Sequence, residues 1–68
     1  MTTEDYGAEL RLMRKARRNG FSKMQALETR LQALERAAQE HDWTPEEKAL
    51  LASHVAIAVE IAYAGALQ

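Results

Sequence analysis

The 68-residue chain has no cysteine, one proline, three glycines, one phenylalanine and one tryptophan. Without cysteine there is no disulfide framework and no thiolate metal site, although this absence does not fix the compartment. With so little proline and glycine there is no linker to divide domains and no glycine-rich phosphate loop. Long apolar runs are missing too. The most apolar stretch, VAIAVEIAYAGAL at 55–67, is interrupted by Glu60, and falls short of the roughly 20 residues that span a bilayer. The opening MTTEDYGAEL is acidic and polar rather than basic and then apolar, which predicts no secretory leader. These absences predict a soluble, cytoplasmic protein with no cofactor, folded as a single domain over residues 1–68. A chain this short buries only about 60% of the surface its unfolded form exposes, so oligomerisation or a partner is the usual reinforcement.

An excess of either charge is also lacking. Nine basic side chains face ten acidic ones, a net charge of −1, which argues against a dedicated nucleic-acid protein. The distribution is uneven, however. Residues 1–30 carry seven Lys/Arg against four Asp/Glu, and residues 31–68 carry two against six. A chain polarised in this way can pair with itself or offer two differently charged faces to a partner.

What is abundant is Ala, Leu, Glu, Gln, Arg and Met, the strong helix formers. In SKMQALETRLQALERAAQEH, Met24, Leu27, Leu31, Leu34 and Ala38 step by three and four residues, the seam of an amphipathic helix. Ser22 as N-cap with Gln25 at the third helical position forms a capping box. Thr44-Pro45-Glu46-Glu47 is a stronger start: Thr44 caps, Pro45 suits the first helical position, and both glutamates favour the positive end of the helix dipole. His41-Asp42-Trp43 is then a tight connection. The predicted fold is all-α: an antiparallel helical hairpin of about 22–41 and 44–66, with an N-terminal helix of about 3–18. That first helix is either packed on the hairpin or continuous with the second. Tyr6, Leu10 and Met13 extend the seam backwards, as one long helix would. Asn19-Gly20 followed by a fresh capping box favours a break.

The last helix is apolar on two sides, with Leu50, Ile57 and Ile61 on one and Leu51, Val55, Val59 and Ala62 on the other. A hairpin partner covers one side only. Ala58, Ala62 and Ala66 form a small-residue stripe that admits a close neighbouring helix. The other side is covered by the first helix, as a tightly packed intrachain core, or by another molecule. The expected self-association or partner seam is Leu51, Val55, Ala58, Val59, Ala62, Tyr63 and Ala66, with a homodimer as the expected state.

No catalytic constellation is present. Ser22 is a cap, Ser53 has no partner, and His41, Asp42 and His54 lack the spacing of a zinc quartet, so neither an enzyme nor a metal site is predicted. Tyr6 and Trp43 are candidate aromatic anchors at an interface. Trp43 is equally suited to plugging the open end of the hairpin. The three methionines read as core filler. RLMRKARRNG at 11–20 carries five basic residues. Arg11, Arg14, Lys15 and Arg18 gather on one side of the first helix, opposite Leu10, Met13 and Ala16. They read either as a solvated helix face whose last two arginines suit a helix C-terminus, or as a basic patch facing an acidic protein partner or the chain's own acidic half. Arg17 lies at the border, with its stem on apolar surface.

In size, helical-hairpin organisation and over-apolar last helix the chain resembles the small phage-encoded anti-activators that bind a bacterial LuxR-type quorum-sensing regulator. That resemblance implies a non-enzymatic inhibitor that masks a surface of a transcriptional regulator, in the host cytoplasm if phage-encoded. VAIAVEIAYAGAL is similar to the alanine- and isoleucine-rich final helix of type III secretion needle co-chaperones, which implies a chaperone shielding a helical subunit. Asp5-Tyr6, Leu10-Arg11, Leu34-Glu35-Arg36 and the Trp43-to-Leu51 segment are similar to the Hha/YmoA nucleoid-associated modulators, with a longer gap between the first two pairs; this implies a small DNA-binding module. The leading expectation is a bacterial protein partner, with no membrane and no nucleic acid.

Overall fold

The computed structural model describes residues 6–64, which form three helices and no strand: α1 (Tyr6–Arg18), α2 (Lys23–His41) and α3 (Pro45–Ala62). Residues 3–5 of the first predicted helix and Ala66 of the predicted seam lie outside the described residues.

Local chemistry sets each boundary. Asn19-Gly20 breaks the chain between α1 and α2. Gly20 takes φ +89°, and the N–H of Phe21 donates to Ala16 O at 3.0 Å while that of Gly20 donates to Arg17 O at 3.1 Å. This is the glycine-centred closure in which two otherwise unpaired helix carbonyls find donors. A side chain at Gly20 would force an L-residue into the left-handed region. Both predicted capping boxes are formed. Ser22 Oγ accepts from the N–H of Gln25 and Gln25 Oε1 from that of Ser22. Thr44 and Glu47 do the same at α3, where Pro45 occupies the first turn. At the end of α2, Asp42 adopts φ 54° and ψ 48°, and the N–H of Trp43 reaches Ala38 O at 3.0 Å.

α3 is the central element. It packs along both α1 and α2, whereas α1 and α2 touch each other sparingly. Lys23–Glu60 and Glu35–Lys48 ion pairs fit one antiparallel register of α2 against α3. Arg17 Nη1 donates to Ala62 O at 3.0 Å, which places the C-terminal ends of α1 and α3 together. The molecule is a rod of 39 × 21 × 14 Å.

Met13, Ala26, Leu34, Leu51, Val55, Ala58, Val59, Ala62 and Tyr63 form the core. This corrects the seam expected on the last helix. Leu51, Val55, Ala58, Val59, Ala62 and Tyr63 are buried within the chain itself and are not free for a second molecule, because α1 covers the side that α2 leaves open. Val55 has no solvent exposure, and burying such a side chain is worth about 1.5–3 kcal/mol. The small-residue stripe serves the same internal purpose, with Ala58 and Ala62 both buried.

Three further expectations change. The last helix ends at Ala62, earlier than 66, because Arg17 takes the Ala62 carbonyl and Tyr63 turns out of helical geometry at φ −104°, ψ 13°. Its hydroxyl donates to Phe21 O at 2.8 Å, so Tyr63 ties α3 to the α1–α2 turn. The α2 seam is rotated: Ala26, Leu34 and Ala38 are buried, whereas Leu31 is exposed and Met24 is 62% exposed. α2 must meet both α1 and α3, so its inner face lies between the two. Met13 is core, as read from the sequence, and Met24 is not.

Candidate protein-binding surface

The basic stripe of α1 lies in solvent, with Arg11, Arg14, Lys15 and Arg18 all exposed. Among the described residues none of the four takes part in an ion pair; the cations that do are Lys23, Arg30 and Lys48. Packing divides the stripe in two. Arg14 and Arg18, with Arg17, line a cleft of about 460 Å³ against Ile61 and Ala62 of α3. Lys15, one turn beyond Leu12, and Arg11, directly before Leu12 in the chain, do not line that cleft.

A groove of about 200 Å³ lies between α1 and α2, lined by Leu12, Met13, Ala16, Phe21, Ala26, Thr29, Arg30 and Ala33. It exists because α1 and α2 are splayed over α3 instead of packing tightly on each other. Leu12 and Phe21 stay exposed along it. Polar atoms at the groove are few, and its arginine is already engaged. Arg30 Nε donates to Glu9 Oε1 at 2.6 Å and Nη2 to Oε2 at 2.8 Å. This forked pairing drives the Arg30 guanidinium further toward its charged form. Arg36 is exposed one turn beyond Ala33 on α2. The groove is therefore apolar inside, and Arg11, Lys15 and Arg36 are exposed on the two helices that wall it.

The charges are also segregated along the rod. Arg14, Lys15, Arg17 and Arg18 sit at the end where α1 and α3 terminate, and Glu40, Asp42, Glu46 and Glu47 sit at the α2–α3 turn, all exposed. The Glu47 carboxyl is held below the usual carboxylate range, chiefly by the backbone N–H of Thr44 and then by its hydroxyl.

The aromatic residues divide between structure and surface. Trp43 is half-buried, stacks on His41 at 6.3 Å and packs against the core at the α2–α3 turn, the position that plugs the open end of the hairpin. Tyr6 is half-buried at the start of α1. His54 is 2% exposed with neither ring nitrogen hydrogen-bonded among the described residues. Among those residues no three His, Asp or Glu side chains gather as metal ligands, and no helix is long and apolar enough to cross a membrane.

Sequence reasoning missed the Glu9–Arg30 pair, the α1–α2 groove and the division of the basic stripe. The periodic signal for the last was present, since Arg14 and Arg18 lie one turn apart and Lys15 lies with Leu12. No protein-family model matches the chain, and neither a curated protein nor a solved structure shows significant similarity to it.

Proposed function

We propose that the chain is a non-enzymatic binding protein of the bacterial cytoplasm that masks an acidic, amphipathic segment of a partner protein. The observation that carries this reading is the α1–α2 groove, apolar within, on two helices that also carry the exposed cations Arg11, Lys15 and Arg36. An apolar side chain of the partner fills the space between Leu12 and Phe21, and flanking carboxylates meet these cations. Apolar burial at the centre supplies most of the affinity, and the charges set approach and register. Neither Arg11 nor Lys15 has an ion pair to give up among the described residues, so the partner's acids displace only water and counterions. A transcriptional regulator, inhibited by steric masking, is the partner class favoured by the resemblance in size and helical organisation to phage-encoded anti-activators.

The test is capture of a partner from bacterial lysate by the wild-type chain and by Leu12→Asp and Phe21→Asp, followed by titration of the captured protein's acidic helices. The reading requires a partner lost in both variants, and loss of DNA binding by that partner when the wild-type chain is added. Duplex binding by the chain alone, falling steeply with salt, would establish a nucleic-acid module instead.

A further inference from the structure

The exposed side of α3 carries a second surface, separate from the α1–α2 groove. Ile57 and Ile61 are 45% and 42% exposed, and Leu50 is half-buried on the same side. Glu46, Leu50, Ser53, Ile57 and Ile61 follow one another at intervals of three or four residues, so they line one stripe of the helix. The polar member in the middle poses no obstacle to burial, because Ser53 Oγ already donates to Ala49 O at 3.0 Å. The stripe ends in opposite charges. Glu46 stands at its N-terminal end, and Arg14, Arg17 and Arg18 close around Ile61 at its C-terminal end. Among the described residues neither Glu46, Arg14 nor Arg18 has an ionic partner.

From this arrangement we infer that the α3 stripe is covered by a second copy of the chain, packed antiparallel about a two-fold axis between Ser53 and Ile57. Fifteen residues of helix separate Glu46 from Ile61, about 22 Å at 1.5 Å per residue. Antiparallel apposition sets Leu50 of each copy against Ile61 of the other and brings each Glu46 to the other copy's arginine cleft. A parallel arrangement would place glutamate against glutamate and arginine against arginine, so the charges themselves select the orientation. The contact is isologous and closes at two copies. The apolar area is small for a stable interface, so the dimer is weak and dissociates in the micromolar range, on the order of 10–100 μM. The groove between α1 and α2 stays open in it, and the pairing holds whether or not the groove binds a partner.

Sedimentation velocity on the full chain, over a concentration series through that range at low and high salt, tests the pairing. A reversible monomer–dimer equilibrium that salt shifts toward monomer is expected. Ile57→Glu weakens it at least about tenfold by placing like charges near the axis. Glu46→Lys alone, and Arg14→Glu with Arg18→Glu, each weaken it roughly 3- to 10-fold. Combining all three reversals restores most of the wild-type affinity, because the pairs re-form with opposite sign. These positions are exposed, and unchanged helical circular dichroism verifies each variant. A monomer at every concentration, a dimer indifferent to Ile57→Glu, or a combined variant as weak as its parents would each overturn the proposal. Leu12→Asp, which blocks the groove, leaves the dimer intact.

Discussion

The carboxylate of the buried Glu9 is gripped by both Nε and Nη2 of Arg30 across the interface of two helices that otherwise make little contact. The burial is unequal, since the Arg30 side chain is 31% exposed against 7% for Glu9. Loss of Arg30 therefore strands a buried carboxylate, whereas loss of Glu9 leaves a guanidinium that can reach water. Arg30→Ala is expected to cost about 3–5 kcal/mol, a third or more of the roughly 3–10 kcal/mol available to a chain of this size. Glu9→Ala should cost less, and the double variant Glu9→Leu with Arg30→Met should be near neutral or stabilising. Urea unfolding of the three variants checks the order.

His54 presents the opposite situation, a buried polar ring with neither nitrogen engaged among the described residues. Its lost hydration is not recovered by any hydrogen bond, while its carbon skeleton fills the space an apolar residue would. His54→Leu is expected to raise stability by about 1–2 kcal/mol, with each kcal/mol worth about 4–8 °C of Tm in a domain this small. A lower Tm would mean that the imidazole serves the fold through its nitrogens.

Tyr63 and Arg17 together clamp the end of α3, the hydroxyl on Phe21 O and the guanidinium on Ala62 O. Tyr63→Phe removes one such bond and is expected to cost about 1 kcal/mol. Arg17→Met keeps the stem packing and releases the Ala62 carbonyl. Amide hydrogen exchange should then accelerate in the last turn of α3 and at Phe21, with the α2–α3 turn unaffected.

Glu47 supplies the clearest pH dependence. Its folded carboxyl lies below the ordinary glutamate range because Thr44 donates to its charged form. The stabilisation is therefore fully present above that range and is lost as pH falls through the lowered folded value. Glu47→Gln keeps an acceptor for the Thr44 N–H but cannot titrate. Its thermal-melting profile below about pH 5 should be flatter than that of the wild type.

The helix starts were legible because capping is local: Ser22 with Gln25 and Thr44 with Glu47 each settle their own turn. The break at Asn19-Gly20 was legible for the same reason, since a left-handed glycine needs no distant partner. The burial of Glu9 was not, because the residue that neutralises it lies 21 positions away and nothing near Glu9 marks it. Met24 and Leu31 show another limit. Their spacing defines an apolar face, but the rotation of α2 that exposes them follows from α1, a third helix claiming part of the same surface. The basic patch was visible as a periodicity. That Arg14 and Arg18 line a cleft against Ile61 and Ala62 came only with the packing of α1 on α3.

The central place of α3 bears on how the chain is made. α1 and α2 emerge from the ribosome before the helix on which both depend, and they make few contacts with each other. α1, at 13 residues, is too short to hold helical structure firmly in water on its own. The nascent chain therefore carries Met13, Leu27 and Leu34 unsheltered until α3 has emerged. The α2–α3 pair can form first across a short turn, and α1 must then close a loop of some 45 residues, the separation of Arg17 from Ala62. Docking of α1 is thus the step that non-local closure slows, and until it is complete Val55 and Ala58 are within reach of chaperones.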